Sequence, residues 1–162
     1  MKEKQKEKYF WKRQFNISRL EDIPKEIKRY NFRDTEVDDE WLFWITASVK
    51  VIHQLDLDNT LVTDEGIKHL SKLESITELR LKGCHSISNA CLGDLKKLMG
   101  LELLHLGGTA VDLSSIHELK ALKNLKMLLL SSNDSVEIIV EKAATFKKIF
   151  PSCEIIINGQ NH

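Results

Sequence analysis

Three cysteines, no long apolar run and no surplus of either charge remove several classes of protein at once. Cys84, Cys91 and Cys153 are few and odd in number, which excludes a disulfide framework and predicts reduced thiols. No apolar run approaches the roughly 20 residues of a membrane span. The N-terminus has neither the apolar stretch of a secretory signal nor the Arg-rich, acidic-poor character of a mitochondrial presequence. A cytoplasmic protein without a membrane span is therefore expected, with the mitochondrion as the alternative. Lys+Arg and Asp+Glu both number 24. That balance excludes a general affinity for nucleic acid, which needs surplus cations to neutralise phosphates.

Catalytic and metal signatures are also missing. There is no CxxC and no closely spaced Cys/His set, so no structural zinc is expected. There is no G-x-S-x-G and no phosphate-binding Gly-rich loop. No cofactor and no metal are expected.

What is present, in 162 residues of which 42% are apolar, is a repeat. Ile52-x-x-Leu55-x-Leu57 recurs as Ile76-x-x-Leu79-x-Leu81, as Leu101-x-x-Leu104-x-Leu106 and as Leu125-x-x-Leu128-x-Leu130, at intervals of 24, 25 and 24 residues. Three residues beyond each copy stands Thr60, Cys84, Thr109 or Asn133. A degenerate first copy, Ile27, Tyr30 and Phe32 followed by Thr35, lies 25 residues upstream. After each strand-like phrase the apolar spacing turns helical: Ile67, Leu70 and Leu73; Ile87, Cys91, Leu92, Leu95 and Leu98; Ile116, Leu119 and Leu122. Each unit reads as strand, turn and helix. No unit can bury its apolar face alone, so stacking is required, with strands in one parallel sheet and helices covering it.

The segment Leu55–Ile67 resembles leucine-rich repeats with a T-x-V/I-T-D-x-G-L turn, and Leu79–Ser88 resembles their cysteine-containing subclass. The resemblance implies an α/β leucine-rich-repeat solenoid of about five strand-turn-helix units with a curved parallel sheet. A second resemblance runs from Ile52 to Ile157, through Phe146-Lys-Lys-Ile-Phe-Pro-Ser-Cys-Glu-Ile155. It points to the distal-membrane-arm assembly component and ATP synthase coupling factor B group, and implies an assembly factor for a respiratory or ATP synthase complex.

Three regions are expected. Residues 1–26 form a basic tail and N-terminal cap, 27–135 the repeats, and 136–162 a C-terminal cap helix and edge strand. The tail carries Lys2, Lys4, Lys6, Lys8, Lys12 and Arg13 against Glu3 and Glu7. It reads as flexible and solvated, with a docking segment as the alternative. Tyr9, Phe10, Trp11, Phe15, Ile17, Leu20 and Ile23, with Trp41, Phe43 and Trp44, supply apolar cover for the first layer. Pro151 ends the last helix, and Glu154–Ile157 adds an edge strand that, left unpaired, would invite association.

One motif suggests chemistry. Asp56-Leu-Asp58-Asn-Thr-Leu-Val62 resembles the first motif of haloacid-dehalogenase-type phosphatases, and Met127–Asn133 their second. The resemblance implies Asp56 as nucleophile and Asp58 as general acid/base. Against it, no late acidic pair follows Ser131, and both motifs fall at one register of the repeat. Strand alternation also points both aspartates at solvent.

Alternation places three columns on the concave face: Asn31, Asp56, Arg80, His105, Leu129; Arg29, Gln54, Glu78, Leu103, Met127; and Arg33, Asp58, Lys82, Gly107, Ser131. Asp56 beside Arg80 and Asp58 beside Lys82 are expected to pair laterally. Leu103, Met127 and Leu129 are apolar yet solvent-facing, beside His105, which suggests a partner site unless the C-terminal tail folds over them. The expected function is non-catalytic binding of a protein partner by a monomer. The expected contact residues are Leu103, His105, Met127 and Leu129, with Arg80, Glu78, Asp56, Asp58 and Lys82 around them.

Overall fold

A computed structural model of the chain describes residues 3–162. Its frame is an open seven-stranded sheet in sequence order. The strands are β1 (Glu26–Asn31), β2 (Val51–Asp56), β3 (Ser75–Arg80), β4 (Leu103–His105), β5 (Met127–Leu130), β6 (Glu154–Ile157) and β7 (Gln160–Asn161). The first six are parallel, and β7 returns antiparallel to β6.

The repeat interval becomes lateral register. Tyr30 lies beside Leu55, Leu55 beside Leu79, Leu79 beside Leu104, Leu104 beside Leu128, and Leu128 beside Ile155. From Leu55 onward this column is buried to 1% exposure or less. Fixing register this way prevents a one-residue slip, which would turn the whole apolar set toward water.

Helix α1 (Glu3–Phe15) packs at the N-terminal end against β1 and α2 (Asp39–Ser48), and on the covered face lie α2, α3 (Asp64–Leu70), the single-turn α4 (Leu92–Leu95) and α5 (Val136–Ile149). The segment expected as a fourth-repeat helix is instead a 3₁₀ helix, Leu113–Ala121. Its apolar residues Leu113, Ile116 and Leu119 are spaced by three, so the three-residue turn aligns them on one buried side, where a 3.6-residue turn would let them drift.

The turn sequences act as struts as well as caps. Thr63 Oγ1 accepts from Glu65 N–H at the start of α3, while Thr63 N–H and Oγ1–H donate to Asp39 of the preceding unit at 2.9 and 2.6 Å. One unit on, Ser88 N–H and Oγ–H donate to Asp64 at 2.8 and 2.6 Å. Asn89 continues the series by accepting Asp112 N–H at 3.0 Å. Two Thr/Ser-Asp pairs thus satisfy orphan helix donors and tie one unit to the next, and the Asn89–Asp112 contact makes a third tie.

The N-terminal residues read as a flexible tail form α1 from Glu3, and Lys2 lies outside the described residues. The physical reason is aromatic. Phe10 and Trp11 are buried, Phe10 lies 4.9 Å from Trp41, and Phe15 lies 4.2 Å from Tyr30 (ring centroids). Burying such large rings repays the ordering of one helix. At the other end the chain turns at Asn158 and Gly159, both at positive φ, as a two-residue hairpin turn requires. The edge of β6 is therefore paired by β7, so the strand Ile155–Ile157 is not left unpaired.

Candidate binding face

The face of the sheet opposite the helices carries the residues singled out from the sequence. Arg80, His105 and Leu129 stand in one lateral row, and Glu78, Leu103 and Met127 in the next. Both rows hold as expected, and β6 extends them with Ile156 beside Leu129 and Glu154 beside Met127.

The apolar end is continuous across three strands. Leu103, Met127, Leu129 and Ile156 are all half-buried, so each still presents surface to solvent. The C-terminal segment does not fold over them. It runs in the plane of the sheet as β7, where Asn161 Nδ2 donates to Glu154 at 2.8 Å. A cleft of about 370 Å³ opens among Lys82, His105, Gly107, Leu129, Ile156 and Gly159. A Cβ at Gly107 would stand 3.0 Å from His105 Nε2, so glycine there leaves room for the imidazole to lie along the cleft floor. Burial, with Arg80, Lys82 and Arg33 nearby, holds the His105 pKa below its usual value, and Asp58 opposes this only in part. The neutral imidazole is thus favoured by its surroundings.

The polar end differs from the expected lateral pairs. Asp58 is not on the solvent face; it is 1% exposed. Its Oδ1 accepts Lys82 N–H at 2.8 Å, and its Oδ2 accepts Arg33 Nη2–H at 2.7 Å. Asp56 also pairs with Arg33, at 3.1 Å, and not with Arg80. The strand ends there and the backbone turns in at Asn59, which has positive φ. Asp58 is thereby carried off the strand alternation and under the loop. Arg33, the residue that organises both carboxylates, is missing from the expected site. Its position two residues past β1, in register with Asp58, is the one signal that could have found it. Gln54 donates to Glu78 at 3.0 Å, and a smaller polar hollow of about 200 Å³ lies among Arg29, Gln54, Asp56, Glu78 and Arg80.

This arrangement does not suit the phosphatase reading. Asp56 Oδ1 accepts Asp58 N–H at 3.0 Å while its Oδ2 meets Arg33, so the supposed nucleophile is committed to the turn. Cys84 and Cys91 are buried, and burial pushes the Cys91 thiol up to about 12. Among the described residues, no three His, Cys, Asp or Glu side chains converge on a point.

No family model matches the chain. It is similar to proteins called ATP synthase subunit s, mitochondrial. The rat protein (Rattus norvegicus) is 32% identical over 114 residues, 66% of this chain and 56% of the relative. The mouse protein (Mus musculus) is 31% identical over 114 residues. The human protein (Homo sapiens) is 30% identical over 109 residues, 64% of this chain and 54% of the relative. The chain spans little more than half the length of these curated relatives, 54% to 56%.

Proposed function

We propose that this chain is a non-catalytic protein-binding module of leucine-rich-repeat type, an accessory or assembly factor for a mitochondrial complex, with the ATP synthase as first candidate. The regions divide as cap (residues 1–26), repeats (27–135) and C-terminal cap (136–162), and the protein acts as a monomer that engages its partner. Similarity to subunits of a mitochondrial synthase favours that compartment and role over a cytoplasmic adaptor. The carrying observation on the chain itself is the half-exposed apolar strip Leu103–Met127–Leu129–Ile156 on an uncovered sheet face. Four such residues lie side by side there, and a contiguous apolar patch is a mark of partner surfaces. The polar residues Glu78, Arg80, Asp56 and Lys82 belong to the same face, and the buried Asp58 supports it from beneath by holding Arg33 and the Lys82 backbone.

The test is affinity capture of tagged chain from detergent-solubilised mitochondria, compared with a Leu103→Glu, Leu129→Arg double variant whose circular dichroism and melting are native. Enrichment of ATP synthase subunits by the wild type and their loss with the variant is the expected result. Equal enrichment by both chains would remove the face from the reading, and absence of the synthase from both would remove the proposed complex.

A further inference from the structure

Of the eight asparagines in the chain, Asn158 alone is followed by glycine. Both residues are exposed at the tip of the β6–β7 hairpin, at φ of 54° and 80°, and a Cβ at Gly159 would meet nothing within 4 Å. The Gly159 nitrogen therefore has no side chain beside it to shield it from attack on its neighbour. What restrains the Asn158 amide is a single residue of the preceding unit. Its Oδ1 accepts Ser132 N–H at 3.0 Å and its Nδ2 donates to Ser132 O at 2.8 Å, while Asn158 N–H donates to Leu130 O at 3.1 Å. The two bonds to Ser132 need one acceptor and one donor on the same planar group. An amide has both, and a carboxylate has no donor.

We propose that Asn158–Gly159 is a deamidation site, and that deamidation there releases β7. The Gly159 nitrogen attacks Asn158 Cγ and gives up its proton, the Cγ–Nδ2 bond breaks, and Nδ2 leaves as ammonia. The resulting ring, a succinimide, then takes up one water. Opening at Cγ gives aspartate, and opening at the main-chain carbonyl gives isoaspartate, with the backbone rerouted through Cβ and Cγ. Water is the only co-reactant. While Ser132 holds both amide atoms, Cγ cannot swing toward the Gly159 nitrogen, so the reaction goes through opening of the hairpin.

Afterwards the hairpin cannot close as before. Aspartate keeps the acceptor for Ser132 N–H but turns a second acceptor toward Ser132 O. Isoaspartate adds a backbone methylene between Ile157 and Gln160, which pair directly across the turn. Either product uncouples β7, bares the Ile155–Ile157 edge and alters the cleft that Asn158 and Gly159 border together with Leu129 and Ile156. The change runs one way, because the ammonia is lost. Nothing in this step depends on what the sheet face binds.

The test incubates the full chain in mildly alkaline buffer, folded or unfolded in urea, and reads each asparagine by peptide mass mapping with an isoaspartate assay. Asn158 is expected to convert before the other seven, to give both isomers, and to react about tenfold more slowly in the folded chain than in urea. Asn161→Ala removes the 2.8 Å bond to Glu154, leaves the Asn158–Gly159 pair intact, and should speed conversion in the folded chain. The structural consequence is read on ¹⁵N-labelled protein. The incubated chain and a fresh Asn158→Asp variant should both show mobile Gln160–His162 amides by relaxation. Exchange should also be faster at His162, whose N–H donates to Ile155 O at 3.0 Å. Melting should remain cooperative in both, since the change is confined to the end of the sheet. Earlier conversion at another asparagine, equal rates in the folded and unfolded chain, or no conversion at all would overturn the proposal. So would a β7 as rigid and protected in the incubated chain and the Asn158→Asp variant as in the fresh protein.

Discussion

The Arg33 guanidinium lies 2.7 Å from the Asp58 carboxylate, joining residues 25 positions apart across the first two units. Asp58 is buried and Arg33 is half-exposed, so the pair sits between the surface and interior cases. Removing the cation leaves Asp58 with Lys82 N–H alone. We expect Arg33→Leu to lower the denaturation midpoint, because hydrogen bonds to a charged group are lost while solvent screens part of the effect. Arg33→Lys should recover only part, since one ammonium cannot meet both Asp56 and Asp58 as the fork does. Urea denaturation of the three proteins measures this. An unchanged midpoint in Arg33→Leu would show the contact to be ornamental.

The strut series predicts non-additivity. Asp64 accepts two hydrogen bonds from Ser88 of the next unit, and Ser88 also caps the turn at Ala90. Asp64→Ala should therefore destabilise the fold by about 1–2 kcal/mol, and Ser88→Ala by about the same, since a lost cap typically costs about 1 kcal/mol. The double variant should lose less than the two effects added together, because the Oγ–Oδ2 bond can be broken only once. A double-mutant cycle in urea reads the coupling directly. Strict additivity would mean that the two residues act separately.

How much of this was readable beforehand depends on whether a residue sits inside the period. The register from β1 to β5 followed from intervals of 24 and 25 residues, and so did the rows through Arg80–His105–Leu129 and Glu78–Leu103–Met127. Ile156 escaped because α5, at 14 residues, is longer than the helices before it and pushes β6 off the interval. Strand alternation also fails where strands end. Asp58 stands beyond β2, where the backbone is turning toward Asn59 and side-chain direction no longer follows period two, whereas Arg33, beyond β1, stays exposed as the alternation has it. The hairpin to β7 was legible in Asn158-Gly159 as a turn dipeptide, but its flanking segments are too short to read as strands.

His105 supplies a pH dependence. Its folded pKa lies below its unfolded value because burial and the cations Arg80, Lys82 and Arg33 disfavour the imidazolium, with Asp58 opposing. His69 is lowered as well, by burial and by Lys72. The folded state then binds fewer protons than the unfolded state. That contribution is fully present above the unfolded value of about 6.5 and is lost as pH falls from there through the lower folded values. Melting temperature should decline between about pH 7 and pH 5, before the carboxylates titrate. His105→Asn should flatten part of that decline, and adding His69→Gln should flatten more. A melting profile in the double variant as steep as in the wild type would assign the acid sensitivity elsewhere.

The C-terminal hairpin explains why a chain with an apolar last parallel strand need not self-associate. Ile155 to Ile157 would expose a full row of backbone donors and acceptors if β6 were the edge. Instead Gln160 and Asn161 pair with it, Asn158 N–H donates to Leu130, and Asn158 Nδ2 donates to Ser132 at 2.8 Å. The covering strand is two residues long and polar, a poor template for a further strand. A chain ending at Ile157 loses that cover along with the Asn158 anchor. It should show concentration-dependent association in light scattering, whereas the chain that carries β7 stays monomeric under the same conditions. Asn158→Ala, which keeps β7 but weakens its anchor, should fall between them. If the truncated chain remained monomeric at high concentration, twist or side-chain cover of β6 itself would have to be the protecting feature, and β7 would be dispensable for solubility.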